Sequence, residues 1–180
     1  MGAKSNNLKE LKDKMEKWIL LPESVCIPFK MFEYTLSLHP EIEQEINKNI
    51  DELSTTTKVK RMNRLLYKCK ELVLRLNIVE DDQFHKQLMK GLNKFGIEVK
   101  DKDLAWKTIK KVWASKFNER AFLSTKKIGI TLHSIYMAVL VQKIVEAEYA
   151  YVIHTSNPMN GEDDEVYVES CLGLGEALVS

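Results

Sequence analysis

The sequence lacks an excess of charge of either sign, a long apolar run, and cysteines at metal-ligand spacing. Its 27 basic and 26 acidic residues nearly cancel, which leaves no electrostatic case for nucleic acid or an anionic membrane as a partner. No apolar stretch approaches the ~20 residues that span a bilayer. Cys26, Cys69 and Cys171 are widely spaced in apolar surroundings and read as small buried hydrophobes in a reducing compartment. Asn, Lys and Glu within the first ten residues exclude a secretory signal. The expected compartment is cytoplasmic, or a plastid if a transit peptide lies upstream. His39, His85, His133 and His154 share no metal-ligand spacing; His39 and His85 read as surface residues and His154 as a structural one. There is no G-x-S-x-G, Walker A or Rossmann fingerprint, no internal repeat and no low-complexity segment.

What is present divides into helical and β-rich stretches. Three runs of β-branched and aromatic residues, Ala138 to Val145, Tyr149 to Thr155 and Glu165 to Cys171, predict a small antiparallel sheet near the C-terminus. A turn cluster, Asn157 to Asp164, separates the last two runs, and Gly173-Leu-Gly175-Glu176 follows the third. Upstream the spacing is helical. Leu8, Leu11, Met15 and Trp18 predict a short amphipathic helix capped by Asn6 or Asn7. Phe29, Phe32 and Leu36 mark a second, and Pro40 opens a third whose stripe is Ile42, Ile46, Ile50 and Leu53. After the polar break at Ser54–Thr57 comes a long helix with Val59, Met62, Leu66, Cys69, Val73 and Leu76 facing inward. Another helix begins at Asp81 and Asp82, carries Phe84, Leu88, Leu92 and Phe95, and ends at Gly96. A further one, capped by Asp103, buries Ile109, Val112, Trp113 and Phe117. The basic residues from Lys58 to Lys70 read as a solvated helix face, since no aromatics are interleaved.

Two places can meet a phosphate. Lys4, among small residues ahead of a helix, is a mobile point charge. The Gly173–Glu176 loop lets backbone approach a ligand closely. Two glycines are equally at home in a plain turn, and an N-terminal lysine is ordinary surface. Glu169 and Glu176 can contact a ribose or a metal-bound phosphate, or face water. Gln142, placed mid-strand between Val141 and Val145, needs a polar partner in a ligand or a neighbouring strand. The residues alone support an α+β domain with a candidate nucleotide site.

Four motifs then carry a resemblance. The run TIKKVWASKFNERA ending at Ala121, the MAVLVQKIV of Met137 to Val145, the HTSNP of His154 to Pro158, and VESCLGLGEALV from Val168 to Val179 look like the ATP-binding domain of the pyruvate phosphate dikinase and phosphoenolpyruvate synthase superfamily. GAKSNNL at Gly2 to Leu8 and Ile27-Pro28-Phe29 resemble that family's opening. GAKS, IPFKMFE and AEYAYVIHTSNP are similar to its glucan, water dikinase branch. The resemblance implies an incomplete, ATP-grasp-like nucleotide-binding domain. Residues 1–40 would be the lysine-loop lead-in, 41–100 a divergent helical insert, and 101–180 the helix and sheet of the nucleotide cleft.

The implied chemistry places the β-phosphate of ATP on a histidine, releases the γ-phosphate to water, and passes the group on to an α-glucan. The cofactors implied are ATP and Mg²⁺. By position, Lys4 would hold phosphate oxygens, and Gln142, Ile144 and Val145 would lie against the adenine. Glu169, Gly173, Gly175 and Glu176 would line the cleft. Arg120 would brace the helix–sheet junction rather than touch ATP. The phosphohistidine domain and the family's later arginine-bearing motif have no counterpart here, so the chain is expected to be a fragment with no catalytic residue of its own. Another phosphohistidine dikinase, such as a phosphoenolpyruvate synthase, and a non-catalytic nucleotide-binding or interaction module are the alternatives.

Overall fold

The computed structural model describes residues 3–12, 14–77, 83–94 and 102–178. In chain order the elements are α1 (Ala3–Lys12), β1 (Ser24–Ile27), α2 (Met31–Ser37), α3 (Pro40–Thr55), α4 (Val59–Leu74), α5 (Gln83–Lys94), α6 (Lys102–Ala114), α7 (Glu119–Lys127), β2 (Val139–Gln142), β3 (Tyr149–His154) and β4 (Tyr167–Leu172). Two compact units divide the chain, Met1–Lys143 and Ile144–Ser180.

The first unit is mostly helical because its apolar residues recur at helical spacing. Pro40 sits in the first turn of α3, where its missing N–H has no intrahelical acceptor to lose. Ile46, Ile50 and Leu53 then form the buried stripe. On α4 the buried residues are Met62, Leu65, Leu66, Cys69, Leu72 and Val73. The α3 and α4 stripes pack together, and α4 packs on α6. At the centre is Trp113 of α6, fully buried, its ring 5.5 Å from Phe32 and edge-on to Trp106 at 5.6 Å.

The last carbonyls of α4 have no partners within the helix. Lys110 of α6 donates from Nζ to Leu74 O at 2.6 Å and Leu76 O at 2.8 Å, and Trp106 Nε1 donates to Leu76 O at 3.2 Å. A cation placed there also faces the negative end of the helix dipole. Burial, with Lys107 nearby, pushes the Lys110 pKa down.

Several expectations are corrected. The single sheet resolves into two two-stranded antiparallel ladders. Residues 139–142 do not join the later strands. They pair with β1 in the register Ser24↔Gln142, Val25↔Val141, Cys26↔Leu140 and Ile27↔Val139. Residues 24–27 are too short to advertise a partner from their own pattern. The first helix begins at Ala3, so Asn6 and Asn7 lie inside it rather than capping it, and Trp18 falls beyond its end, 79% exposed. Asp103 lies in the first turn of α6 and is not its N-cap. Phe29, Val59 and Val112 are exposed, each at the margin of the helix whose stripe it was assigned to. His39 and His85 are half-buried, not surface residues; His39 Nδ1 lies 3.0 Å from the Thr35 carbonyl one turn back. Asp81, Asp82, Phe95 and Gly96, expected to bound α5, lie outside the described residues.

Of the three thiols only Cys69 is fully buried, while Cys26 and Cys171 are half-buried. Burial pushes the Cys69 pKa up to about 12. A raised folded-state value stabilises the fold fully below the unfolded thiol's pKa of about 8.5, and the benefit fades as pH climbs towards the folded value. The expected outcome is selective labelling. At pH 8, iodoacetamide followed by peptide mass spectrometry should modify Cys26 and Cys171 well before Cys69, which should react only as the protein unfolds. Equal rates at all three would contradict the packing around α4.

Candidate nucleotide site

The second unit is a hairpin with a folded-back exit. β3 and β4 pair antiparallel from Tyr149↔Leu172 to His154↔Tyr167. The loop between them is organised by Asn157, which is buried although polar. Its Nδ2 donates to Glu165 Oε2 at 2.7 Å and to Tyr167 Oη at 3.0 Å, and its Oδ1 accepts from the Met159 N–H at 2.8 Å. Its backbone closes both ends of the turn, N–H to Glu162 O at 2.7 Å and O from Gly161 N–H at 2.8 Å. Gly161, at φ 79°, supplies the left-handed residue this turn requires.

After β4 the chain reverses. Gly173, at φ 75°, donates its N–H to Glu148 O at 2.8 Å and so closes the open end of the hairpin. Residues Gly175–Leu178 form a 3-10 turn that packs back on both strands. A Cβ on Gly175 would stand 3.3 Å from the Ala150 Cβ, tighter than ordinary contact. Both glycines therefore have a reason internal to the hairpin: one needs the left-handed conformation, the other close packing.

The expected site residues fall as follows. Lys4 lies in α1, and its side chain lies outside the described residues. Gln142 is not mid-strand: it is the last residue of β2 and exposed, so it needs no buried partner. Ile144 and Val145, assigned to the same run, lie beyond the strand, 74% and 59% exposed, in the stretch where the second unit begins. Large aliphatic side chains so open to water are suited to a flat apolar ligand face. Glu169 is exposed on β4 opposite Val152, and Glu176 is exposed in the exit turn. Glu169, Gly173, Gly175 and Glu176 are thus gathered along one strand and its exit. Lys4 and Gln142 belong to the other unit.

The charge of the second unit matters for what it can hold. From Ile144 onward the sequence carries eight acidic residues and no lysine or arginine. Carboxylates alone repel a polyphosphate. Exposed glutamate oxygens are instead hard ligands of the kind that divalent cations take. Among the described residues no group of three or more His, Cys, Asp or Glu is arranged to hold a metal by itself. A cation held there would take its remaining ligands from water or a bound molecule.

Sequence reasoning missed Lys116. Lysine is among the residues least often buried, yet Lys116 is only 5% exposed. Its ammonium sits 5.4 Å from the centre of the Phe32 ring and 3.8 Å from Glu33 Oε1. Burial pushes its pKa down, and Glu33 pulls it part of the way back. The signal was its position three residues after Trp113, on the buried stripe. The basic face of α4 is solvated as expected: exposed Arg61 pairs with half-buried Glu52 and exposed Lys68 with half-buried Glu45, and ion pairs this open to water add little.

Comparison with known proteins adds ancestry to this geometry. Residues 73–180 match the family model "Pyruvate phosphate dikinase, AMP/ATP-binding domain". Over 99% of its length the chain is 40% identical to an alpha-glucan water dikinase, chloroplastic, of Citrus reticulata, and also 40% identical to that of Solanum tuberosum. It spans about 12% of the length of each. It is also 38% identical to a probable phosphoenolpyruvate synthase of Pyrococcus horikoshii, over 40% of this chain and 9% of that protein.

Proposed function

Because this chain belongs to the pyruvate phosphate dikinase AMP/ATP-binding domain family and is homologous over its whole length to alpha-glucan water dikinases, we propose that it forms part of the ATP-binding portion of such an enzyme. The whole enzyme would carry the β-phosphate of ATP through a phosphohistidine to an α-glucan and release the γ-phosphate to water. In this chain Lys4 would neutralise phosphate oxygens, and Gln142, Ile144 and Val145 would face the adenine. The exit of β4, from Gly173 to Glu176, would approach the phosphates through its backbone, and Glu169 and Glu176 are the carboxylates that would hold Mg²⁺. When bound, such an ion would supply the positive charge that the acidic second unit lacks. The protein's own part is positioning and neutralisation, which is most of what phosphoryl transfer asks of it. Both dikinase relatives are chloroplastic, and a plastid is accordingly the compartment proposed.

One observation carries the glucan reading over a phosphoenolpyruvate synthase: similarity to the glucan enzymes runs over 99% of the chain, against 40% to 46% for the synthases. The test is titration calorimetry of the full chain with Mg·ATP, beside a Lys4→Ala variant. Binding that weakens at least about tenfold in the variant is expected for loss of one charge-assisted phosphate contact. A folded wild-type chain that takes up no Mg·ATP would withdraw the assignment of these residues.

A further inference from the structure

The first unit holds a cavity that the nucleotide reading does not use. It lies between the end of α3 and the end of α7, with a volume of about 230 Å³. Buried Leu53, Phe122 and Leu132 line its floor, and half-exposed Ile130 lines one side. Lys126, His133 and the Asp51 carboxylate that His133 faces also line it, which leaves Lys126 as the cation without a carboxylate partner among the described residues.

The walls are held by bonds rather than left to a loose loop. At the end of α7 the Ile130 N–H donates to Thr125 O at 3.0 Å and the Gly129 N–H to Lys126 O at 3.2 Å, with Gly129 at φ 72°. This paired closure fixes the direction in which the chain leaves a helix. His133 Nε2 lies 3.0 Å from Asp51 Oδ1, tying the following turn to α3. Lys126 is less engaged. Among the described residues, the one hydrogen bond of its ammonium is a 3.5 Å contact with Thr56 O, and its Nζ stands 5.8 Å from the centre of the Phe122 ring. A cation beside an apolar floor, its donors nearly free, is the pattern of a small-molecule site: apolar walls with a few convergent polar groups.

The geometry points to a binding site for a small ligand with a compact apolar body and one anionic group, carboxylate or phosphate. The apolar body would lie against Ile130, over a floor backed by Phe122 and Leu132, and the anion would meet Lys126. The volume accommodates one ring and is too small for a nucleotide. Phe122, buried under the floor, offers no exposed flat face on which a sugar could stack. The site is therefore independent of the ATP assignment.

The full chain should be titrated with phenyl phosphate, benzoate, phenol and inorganic phosphate by calorimetry or ligand-observed NMR. Phenyl phosphate and benzoate are expected to bind, with phenol and inorganic phosphate at least about tenfold weaker, since each lacks one half of the recognition. If only phenyl phosphate binds, the anion is a phosphate; if both bind, a carboxylate suffices. Two exposed positions test the placement with little risk to folding: Lys126→Gln and Ile130→Asp should each weaken phenyl phosphate at least about tenfold. Phenol binding as tightly as phenyl phosphate, or variants binding like wild type while melting normally, would overturn the proposal. So would loss of the probe on saturation with Mg·ATP, which would put it in the nucleotide site.

Discussion

Trp113→Ala is expected to destabilise the first unit by about 3–5 kcal/mol, the cost of emptying a buried tryptophan site. The indole touches Phe32 of α2 and Trp106 of its own helix, so its removal opens a void between α2 and α6. A core this closely packed collapses only partly around such a void. The stability of a domain of this size is itself only about 5–15 kcal/mol, so the variant should melt far below wild type in a denaturant titration followed by far-UV circular dichroism. Trp113→Phe separates the ring from its N–H. The indole Nε1 is buried and has no hydrogen-bond partner among the described residues. Phenylalanine therefore loses volume but also removes an unpaired donor, and its cost should fall well below that of alanine. If the two substitutions proved equally harmful, the N–H would have a partner and the packing account would be wrong.

Asn157→Ala is the second large effect, and it should appear locally. Three side-chain hydrogen bonds disappear, one of them to the Glu165 carboxylate, together worth on the order of 3 kcal/mol. A two-stranded hairpin is marginal by itself, and both flanks of its loop depend on this residue. Amide hydrogen exchange from Ile153 to Tyr167 should accelerate sharply, while α3 and α4 keep wild-type protection. Asn157→Asp should do similar damage near neutral pH, because a carboxylate would replace the amide donor beside Glu165. Lowering the pH until one of the two carboxylates protonates should restore part of the protection. Unchanged exchange in both variants would mean the loop is held by its backbone alone.

The helices were the most legible part of the fold. Ile46, Ile50 and Leu53 on α3, and Met62, Leu66, Cys69 and Val73 on α4, are spaced so that one face must be apolar, and that face is the buried one. Strand partnership was not legible. Residues 139–142 look like a neighbour of the next β-rich run, and only the assembled unit shows that Ser24–Ile27 takes that edge. Trp18 misled because helical spacing continued past the last hydrogen-bonded turn. Lys116 was hidden because a single lysine between Ser115 and Phe117 gives no sign that its ammonium lies over an aromatic ring. In the candidate site, the glycines at 173 and 175 stood out by spacing. Their reasons, a left-handed turn and the approach to Ala150, required the backbone.

The ladder between β1 and β2 has a consequence for how the molecule is made. Its two strands sit at opposite ends of the first unit's sequence. A ribosome adding about 5–20 residues per second needs roughly 6–24 s to pass from one strand to the other. Through that interval the edge of β1, with Val25 and Ile27, is synthesised but has no strand to pair with. Closing so long a loop is slow compared with helix formation, so α3 and α4 can form while β1 still waits. A nascent chain stalled before Val139 would offer that edge to whatever extended segment comes near, which makes this interval the most vulnerable one in the life of the protein.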